Sequence, residues 1–287
     1  MVVNLLILLS YLPLRTLYAI SRVLSLMLNY GLKYRKKVIY GNLKNSFPDR
    51  TESEIKEIAS EYYTYLSEIT VETIKLYSMS DNELNNRITF ENPEILAQYQ
   101  TNDKSVIIMM GHSGNWEWAG AATALKFRFK TIPIYRKLKD TSMNRYFKFM
   151  RSKHGGQPVL DSDISGVLAG NISNVALAML ADQTPGGRKG WWLNFMNQIT
   201  PFFRGSEILA TRNTDMGVVF AHVNRTSRGF YSIHLEDAPA DWRATPYKLT
   251  KSFARFLEFR INQDPENWLW SHRRWKHKPR PNSKFID

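Results

Sequence analysis

Five short apolar runs, at residues 106–110, 131–135, 175–181, 216–223 and 230–235, alternate with stretches of helical spacing near 115–127, 141–153 and 204–213. This alternation constrains the chain most. Short apolar runs suit strands buried on both faces, and the segments between them are long enough to cross over such strands as helices. The expected fold class is α/β, a mixed, mostly parallel sheet flanked by helices. No Gly/Ser/Pro-rich linker or internal repeat divides the 287 residues. One large domain over 38–287 is therefore expected behind an N-terminal appendage at 1–37.

The appendage has its own pattern. Val2 to Leu12 is almost wholly apolar, and after Pro13 and Arg15 a second apolar stretch runs from Leu17 to Leu32, interrupted by Arg22 and Asn29. A bilayer crossing needs about 20 predominantly apolar residues, and an arginine near its centre costs on the order of 3 kcal/mol. Lys33, Arg35, Lys36 and Lys37 follow directly, where basic side chains meet anionic headgroups on a cytoplasmic leaflet. A cleaved signal peptide carries its charge before the apolar core, the reverse of the order here. Residues 1–37 thus read as a retained anchor with a basic flank, crossing once or lying in the interface. An ordinary buried N-terminal helix is the alternative.

Thr51 and Glu54 form a capping box ahead of Ile55, Ile58, Ala59, Tyr62, Leu66 and Ile69 at helical spacing. Thr245-Pro246 reads as the N-cap and first residue of a late amphipathic helix carrying Leu249, Phe253, Phe256, Leu257 and Ile261. The tail beyond is basic and aromatic, with Trp268, Trp270, Arg273, Arg274, Trp275, Lys276, Lys278 and Arg280. It reads either as a solvated basic end or as a surface whose tryptophans seat in an interface while its arginines take anionic oxygens.

Lysines and arginines outnumber acids 39 to 26, a formal charge of +13 that points to an anionic partner. The basic residues fall into no zinc module, RNA-binding aromatic signature or helix-turn-helix, so nucleic acid is not expected. The absence of cysteine excludes disulfides, thiol catalysis and cysteine-ligated metal, and it fits a reducing compartment. The six histidines make no compact ligand spacing, so no metal is expected.

Reactive residue types concentrate where the run Val106–Met110 ends in Gly111-His112-Ser113-Gly114-Asn115-Trp116-Glu117. His112 is expected on the turn leaving a buried strand, with Glu117 in the first turn of the helix that follows. On one continuous helix, residues five apart lie roughly 140° apart; across a strand-to-helix turn they can meet. A carboxylate on one imidazole nitrogen fixes the tautomer and supports the charge formed when the other nitrogen takes a proton. The pair is the expected base, with coincidence or a buried structural pair as the alternative. Backbone N–H groups near Gly114 and Asn115 are candidate oxyanion donors. Ser113 adjoins His112 but lacks the Gly-x-Ser-x-Gly elbow of a serine nucleophile.

His112 to Glu117 together resemble the His-(four residues)-acid motif of the glycerolipid acyltransferase superfamily, in the form His-x-x-Asn-Trp-Glu of the lipid A late acyltransferases of Gram-negative bacteria. The resemblance covers most of the chain. Ile134-Tyr135-Arg136, Arg151 with Gly155, Leu180-Ala181-Asp182-Gln183, Pro201-Phe202-Phe203 with Gly205-Ser206-Glu207, and Trp268 to Lys276 each resemble a segment of that family. Arg204 is a departure, standing between Phe203 and Gly205 where many members read Phe-Phe-Gly.

The resemblance implies a membrane-anchored O-acyltransferase with 38–287 as its catalytic domain. Its reaction moves a fatty acyl chain from acyl carrier protein to a hydroxyl of a lipid A precursor, on the cytoplasmic face of a bacterial inner membrane. No cofactor is implied beyond the carrier thioester as co-substrate. His112 and Glu117 are then catalytic, and Asn115, Trp116, Arg136, Arg151, Asp182, Gln183, Gly205, Glu207 and Arg273 are substrate-binding candidates. The three arginines are expected on acceptor phosphates or the acidic carrier, or in structural salt bridges. Asp182 and Gln183 share a sheet edge with His112 if their strands run parallel. Met, Phe and Trp residues around 109–118 and 191–203 are candidates for the acyl slot. Open alternatives are another glycolipid, lysophospholipid or amino-acid lipid as acceptor, a lipid hydrolase in which His112 activates water, and a membrane-binding protein without catalysis.

Overall fold

A computed structural model describes residues 2–169, 173–185 and 190–286. The chain begins with helices: α1 (Val2–Ser10), α2 (Leu14–Leu26) running into a π-helical turn at Met27–Gly31, α3 (Lys36–Ser46) and α4 (Glu52–Leu76). The Thr51 capping box starts α4 as expected, with Glu54 N donating to Thr51 Oγ1 and Thr51 N to the Glu54 carboxylate. Next come α5 (Asp81–Asn85), β1 (Ile88–Phe90) and α6 (Glu94–Thr101). The expected alternation then runs through β2 (Val106–Met110), α7 (Trp116–Lys126), β3 (Lys130–Tyr135), α8 (Thr141–Ser152), β4 (Val159–Leu160), α9 (Ile164–Leu168) and β5 (Val175–Leu180). A hairpin of β6 (Gly190–Phe195) and β7 (Gln198–Phe203) precedes α10 (Gly205–Arg212), β8 (Gly217–Ser227), β9 (Phe230–Asp237), α11 (Lys248–Gln263) and β10 (Lys284–Phe285).

The main sheet has the order β1-β9-β8-β2-β5-β3-β4, parallel at every neighbour except the β8/β9 hairpin. β2 lies near its centre and is buried along its whole length, which explains why its sequence is apolar without alternation. Its side chains still alternate between faces. Ile107 and Met109 join a core with α3, α4, α11 and the β6/β7 hairpin, whereas Val106, Ile108 and Met110 join one with α2, α7 and α8. The hairpin pairs with β10 in a small second sheet.

Three expectations change. Among the described residues no helix is long and apolar enough to cross a membrane. Pro13, which has no N–H to donate, separates α1 from α2, and α2 packs along α4 with Leu14 and Leu17 buried. The late helix starts at Lys248 rather than at Pro246, because Tyr247 adopts a left-handed conformation (φ 63°) and the cap comes from elsewhere. The buried Glu207 carboxylate accepts from Thr250 N at 2.9 Å and Thr250 Oγ1 at 2.6 Å, which satisfies the first turn in place of Thr245. The tail is not a solvated end at its tryptophans either. Trp268, Trp270 and Arg274 are buried, and Trp275 donates to Thr200 Oγ1 at 2.6 Å.

Candidate active site

The parallel register of β2 with β5 sets Met110 opposite Leu180, so His112 and Asp182 each lie two residues beyond paired strand ends at one sheet edge. His112 Nδ1 is 2.5 Å from Asp182 Oδ1. The other carboxylate oxygen, Oδ2, accepts from the His112 backbone N–H and from Trp268 Nε1, both at 2.8 Å. Burial alone would raise the Asp182 pKa, but the adjacent imidazole charge and these hydrogen bonds outweigh it and hold it at about 2. Asp182 Oδ1 thus accepts the hydrogen bond from Nδ1–H, which in the neutral imidazole leaves the lone pair on Nε2.

Glu117 occupies the first turn of α7 as expected, yet its carboxylate does not support the imidazole. It accepts from Arg151 Nε at 2.8 Å and from Arg151 Nη2 at 2.5 Å. The guanidinium also lies over the rings of Tyr135 and Phe147, at 5.5 and 5.3 Å from their centroids. A planar fork drawn into a half-buried site needs a bidentate acceptor, and Glu117 faces α8, where Arg151 stands. The carboxylate that meets the imidazole is that of Asp182, not Glu117.

The turn itself is fixed on every side. Gly114 has φ +59°, and a Cβ there would fall 2.5 Å from the Val223 backbone oxygen, so only glycine fits. Its N–H donates to Asn267 Oδ1 and its carbonyl accepts from Tyr65 OH at 2.7 Å. The Gly114 N–H, expected as an oxyanion donor, is therefore committed to Asn267. Asn115 caps α7 by accepting from Trp118 N at 3.1 Å, and donates to Glu72 Oε2 at 3.0 Å. Glu72 is buried and also accepts from the Tyr18 and Tyr231 hydroxyls at 2.8 and 2.5 Å. Burial pushes its carboxyl up, against the pull of these donors. Ser113 bridges Trp268 through its backbone, and its buried Oγ meets no hydrogen-bond partner among the described residues. The hydroxyl makes no hydrogen bond to the imidazole.

On the side of the imidazole away from Asp182, Gln183 Nε2 lies 3.1 Å from His112 Nε2, and the Trp116 ring meets His112 edge-on at 5.0 Å. Thr184 N donates to His272 Nε2 at 3.3 Å. Burial lowers His272 to about 4, with Arg274 and His112 opposing the upward pull of Asp182. Arg274 is fully buried, donates to Pro201 O at 2.7 Å and lies 4.6 Å over the Phe202 ring. Burial lowers it to about 9, against Asp182, so it remains a cation at neutral pH.

The structure thus gathers His112, Trp116, Asp182 and Gln183 around one imidazole, with Asn115 holding the adjacent helix and Glu117–Arg151 forming a neighbouring pair. Arg136 is largely exposed beside Asp161 at 3.4 Å, Arg273 is exposed, a Cβ on Gly205 would enter open space, and Glu207 caps α11. Trp118, Trp192, Phe195 and Phe202 are core side chains that fill space rather than line a slot. A groove of about 620 Å³ opens between α1 and α8, with Val3, Ile7, Tyr77, Tyr146 and Phe149 among its walls. Among the described residues no three His, Asp or Glu side chains converge as metal ligands. Sequence reasoning missed Glu72, Asn267, His272 and the buried role of Arg274. The one visible signal was acid at Glu68 and Glu72, four apart on an otherwise core-facing stripe of α4.

The chain matches the family described as bacterial lipid A biosynthesis acyltransferase over residues 1–277. It is similar to the lipid A biosynthesis palmitoleoyltransferase of Escherichia coli (strain K12) and to a lipid A biosynthesis acyltransferase of Shigella flexneri. Each is 22% identical over 260 residues, covering 86% of this chain and 81% of the relative.

Proposed function

Since the chain belongs to the bacterial lipid A biosynthesis acyltransferase family and is an acyltransferase, we propose that it moves a fatty acyl chain from the thioester of acyl carrier protein to a hydroxyl of a lipid A precursor. The observation that carries the mechanism is the His112–Asp182 pair, which leaves Nε2 as the acceptor. The acceptor hydroxyl gives its proton to Nε2 as its oxygen attacks the thioester carbonyl. The C–S bond then breaks, and the departing thiolate takes the proton back from the imidazolium that Asp182 stabilises. Positioned base catalysis of this kind contributes typically ~10²–10⁴-fold. Direct attack fits a chain with no cysteine and a Ser113 hydroxyl uncoupled from His112.

The proposed place of action is the cytoplasmic face of a bacterial inner membrane. Leu5, Leu8, Tyr11, Val23, Leu26, Met27, Tyr30 and Leu32 are exposed along the N-terminal helices. Lys33, Arg35, Lys36 and Lys37 follow them. An apolar ridge flanked by basic residues suits seating in an anionic interface. Exposed Arg136 and Arg273 are the candidates for acceptor phosphates or the acidic carrier; Arg151 is committed to Glu117.

The test supplies carrier protein loaded with a labelled chain. Label is expected to move to lipid when a lipid A precursor is added, and His112→Ala is expected to stop it while the protein stays folded. Label released only as free fatty acid, whatever hydroxyl is supplied, would favour a hydrolase.

A further inference from the structure

We infer that Gln183 is a displaceable cap on the reactive nitrogen of His112, holding the base away from water until a bound hydroxyl takes its place. Because Asp182 accepts the hydrogen bond from Nδ1–H, Nε2 of the neutral His112 imidazole is an acceptor, and the Gln183 amide donates to it across 3.1 Å. This lone pair is the one that must receive the acceptor's proton, so in the resting enzyme the base is occupied. The rest of the ring is covered: His112 is only 8% exposed, and Trp116 stands edge-on to it.

Gln183 is built to move without disturbing the base. Its neighbour Asp182 is held by three donors, whereas the Gln183 side chain is half-buried and can rotate away while the backbone stays. Water and a lipid hydroxyl compete for the vacated site on unequal terms. A tethered amide has a high local concentration, and a water molecule replaces it with one bond of similar strength and nothing more. A lipid hydroxyl brings the binding of the rest of its molecule and arrives in near-attack geometry. The cap therefore tilts the enzyme from hydrolysis, thioester plus water giving carboxylic acid and thiol, toward transfer, thioester plus alcohol giving ester and thiol. In both, the attacking oxygen's proton passes through His112 Nε2 to the sulfur.

This inference rests on the acyl-transfer reading above, and its test separates the two. With dodecanoyl-coenzyme A as probe and no acceptor, Gln183→Ala is expected to hydrolyse thioester faster than wild type by about 2- to 10-fold, the worth of one neutral hydrogen bond. The gain should vanish in His112→Ala/Gln183→Ala. Gln183→Glu puts a carboxylate on Nε2 and is expected to move the acid limb of the rate–pH profile up by about one unit or more. Imidazole ¹⁵N spectra read the cap independently of turnover, and the His112 Nε2 resonance should shift between wild type and Gln183→Ala. An unchanged resonance overturns the cap. A shifted resonance with unchanged hydrolysis overturns its role in selectivity. If wild type never labels lipid, the transferase reading fails, and the hydrolysis ratio and the spectra still decide the cap.

Discussion

The sheet edge at His112 and the N-terminal helices solve opposite problems. At the sheet edge most of the named polar groups are buried and matched: Asp182 meets three donors, Glu72 three, and Gly114 donates to Asn267 and accepts from Tyr65, with the Ser113 hydroxyl as the exception. Along the N-terminal helices apolar side chains are exposed and unmatched, with Leu8 at 69% and Leu26 at 60%. The first region is organised before any substrate arrives, as the proposed base at His112 would require in a low-dielectric site. The second holds apolar area that gains only when something apolar covers it. Tyr18 joins the two, since it sits on α2 and donates to the Glu72 that holds Asn115.

The sharpest way to break the contrast within the sheet edge is to compare its two carboxylates. Asp182→Asn keeps the shape but removes the charge beside Nδ1, and kcat should fall by about 10²–10⁴-fold in a folded protein. Steady-state turnover with a circular-dichroism control measures it. Glu117→Gln should act on stability instead. It strips one charge from a half-buried pair, and about 3 kcal/mol of unfolding free energy should be lost in denaturant titration, with kcat of the folded fraction within tenfold of wild type. Equal rate losses in the two variants would return Glu117 to the catalytic role expected from sequence.

The apolar ridge is tested by Leu5→Ser, Leu8→Ser, Val23→Ser and Leu26→Ser combined. These side chains hold little of the core, so the melting temperature should barely move. Partitioning onto anionic vesicles should drop about ten- to hundredfold, a change of the size expected from removing a few partly inserted apolar side chains. Unaltered vesicle binding would remove the ridge from the membrane contact.

The smallest expected effect is the pH dependence of stability. Burial lowers His222 from 6.5 to about 3 and His272 from 6.5 to about 4. Between those values the unfolded chain binds more protons than the folded one, so stability is complete above pH 6.5 and declines as pH falls toward 4. Asp182, lowered from 3.8 to about 2, extends the decline below 3.8. Melting curves should drop by several degrees over the upper window, and His222→Gln should flatten that slope. A melting temperature independent of pH between 6.5 and 4 would show that neither histidine is held neutral by the fold.

Local pattern was enough to place several features. The five apolar runs became strands, Thr51–Glu54 capped its helix, and His112 stands on a strand-to-helix turn with Glu117 in the first helical turn. These depend on periodicity, capping and turn chemistry, which act within a few residues. Even the common edge of His112 and Asp182 was visible, because parallel strands send their C-terminal ends one way. Which carboxylate meets the imidazole was decided only by tertiary structure. Glu117 is five residues away in sequence and turns to Arg151 on α8; Asp182 is seventy away, and the β2/β5 register delivers it to Nδ1. The burial of Trp268 and Arg274 was equally out of reach, since a basic, aromatic segment looks the same whether it faces solvent or closes over a core. Sequence spacing limits which groups can meet, but hydrogen bonds made through space choose among them, and that choice depends on strand order and register.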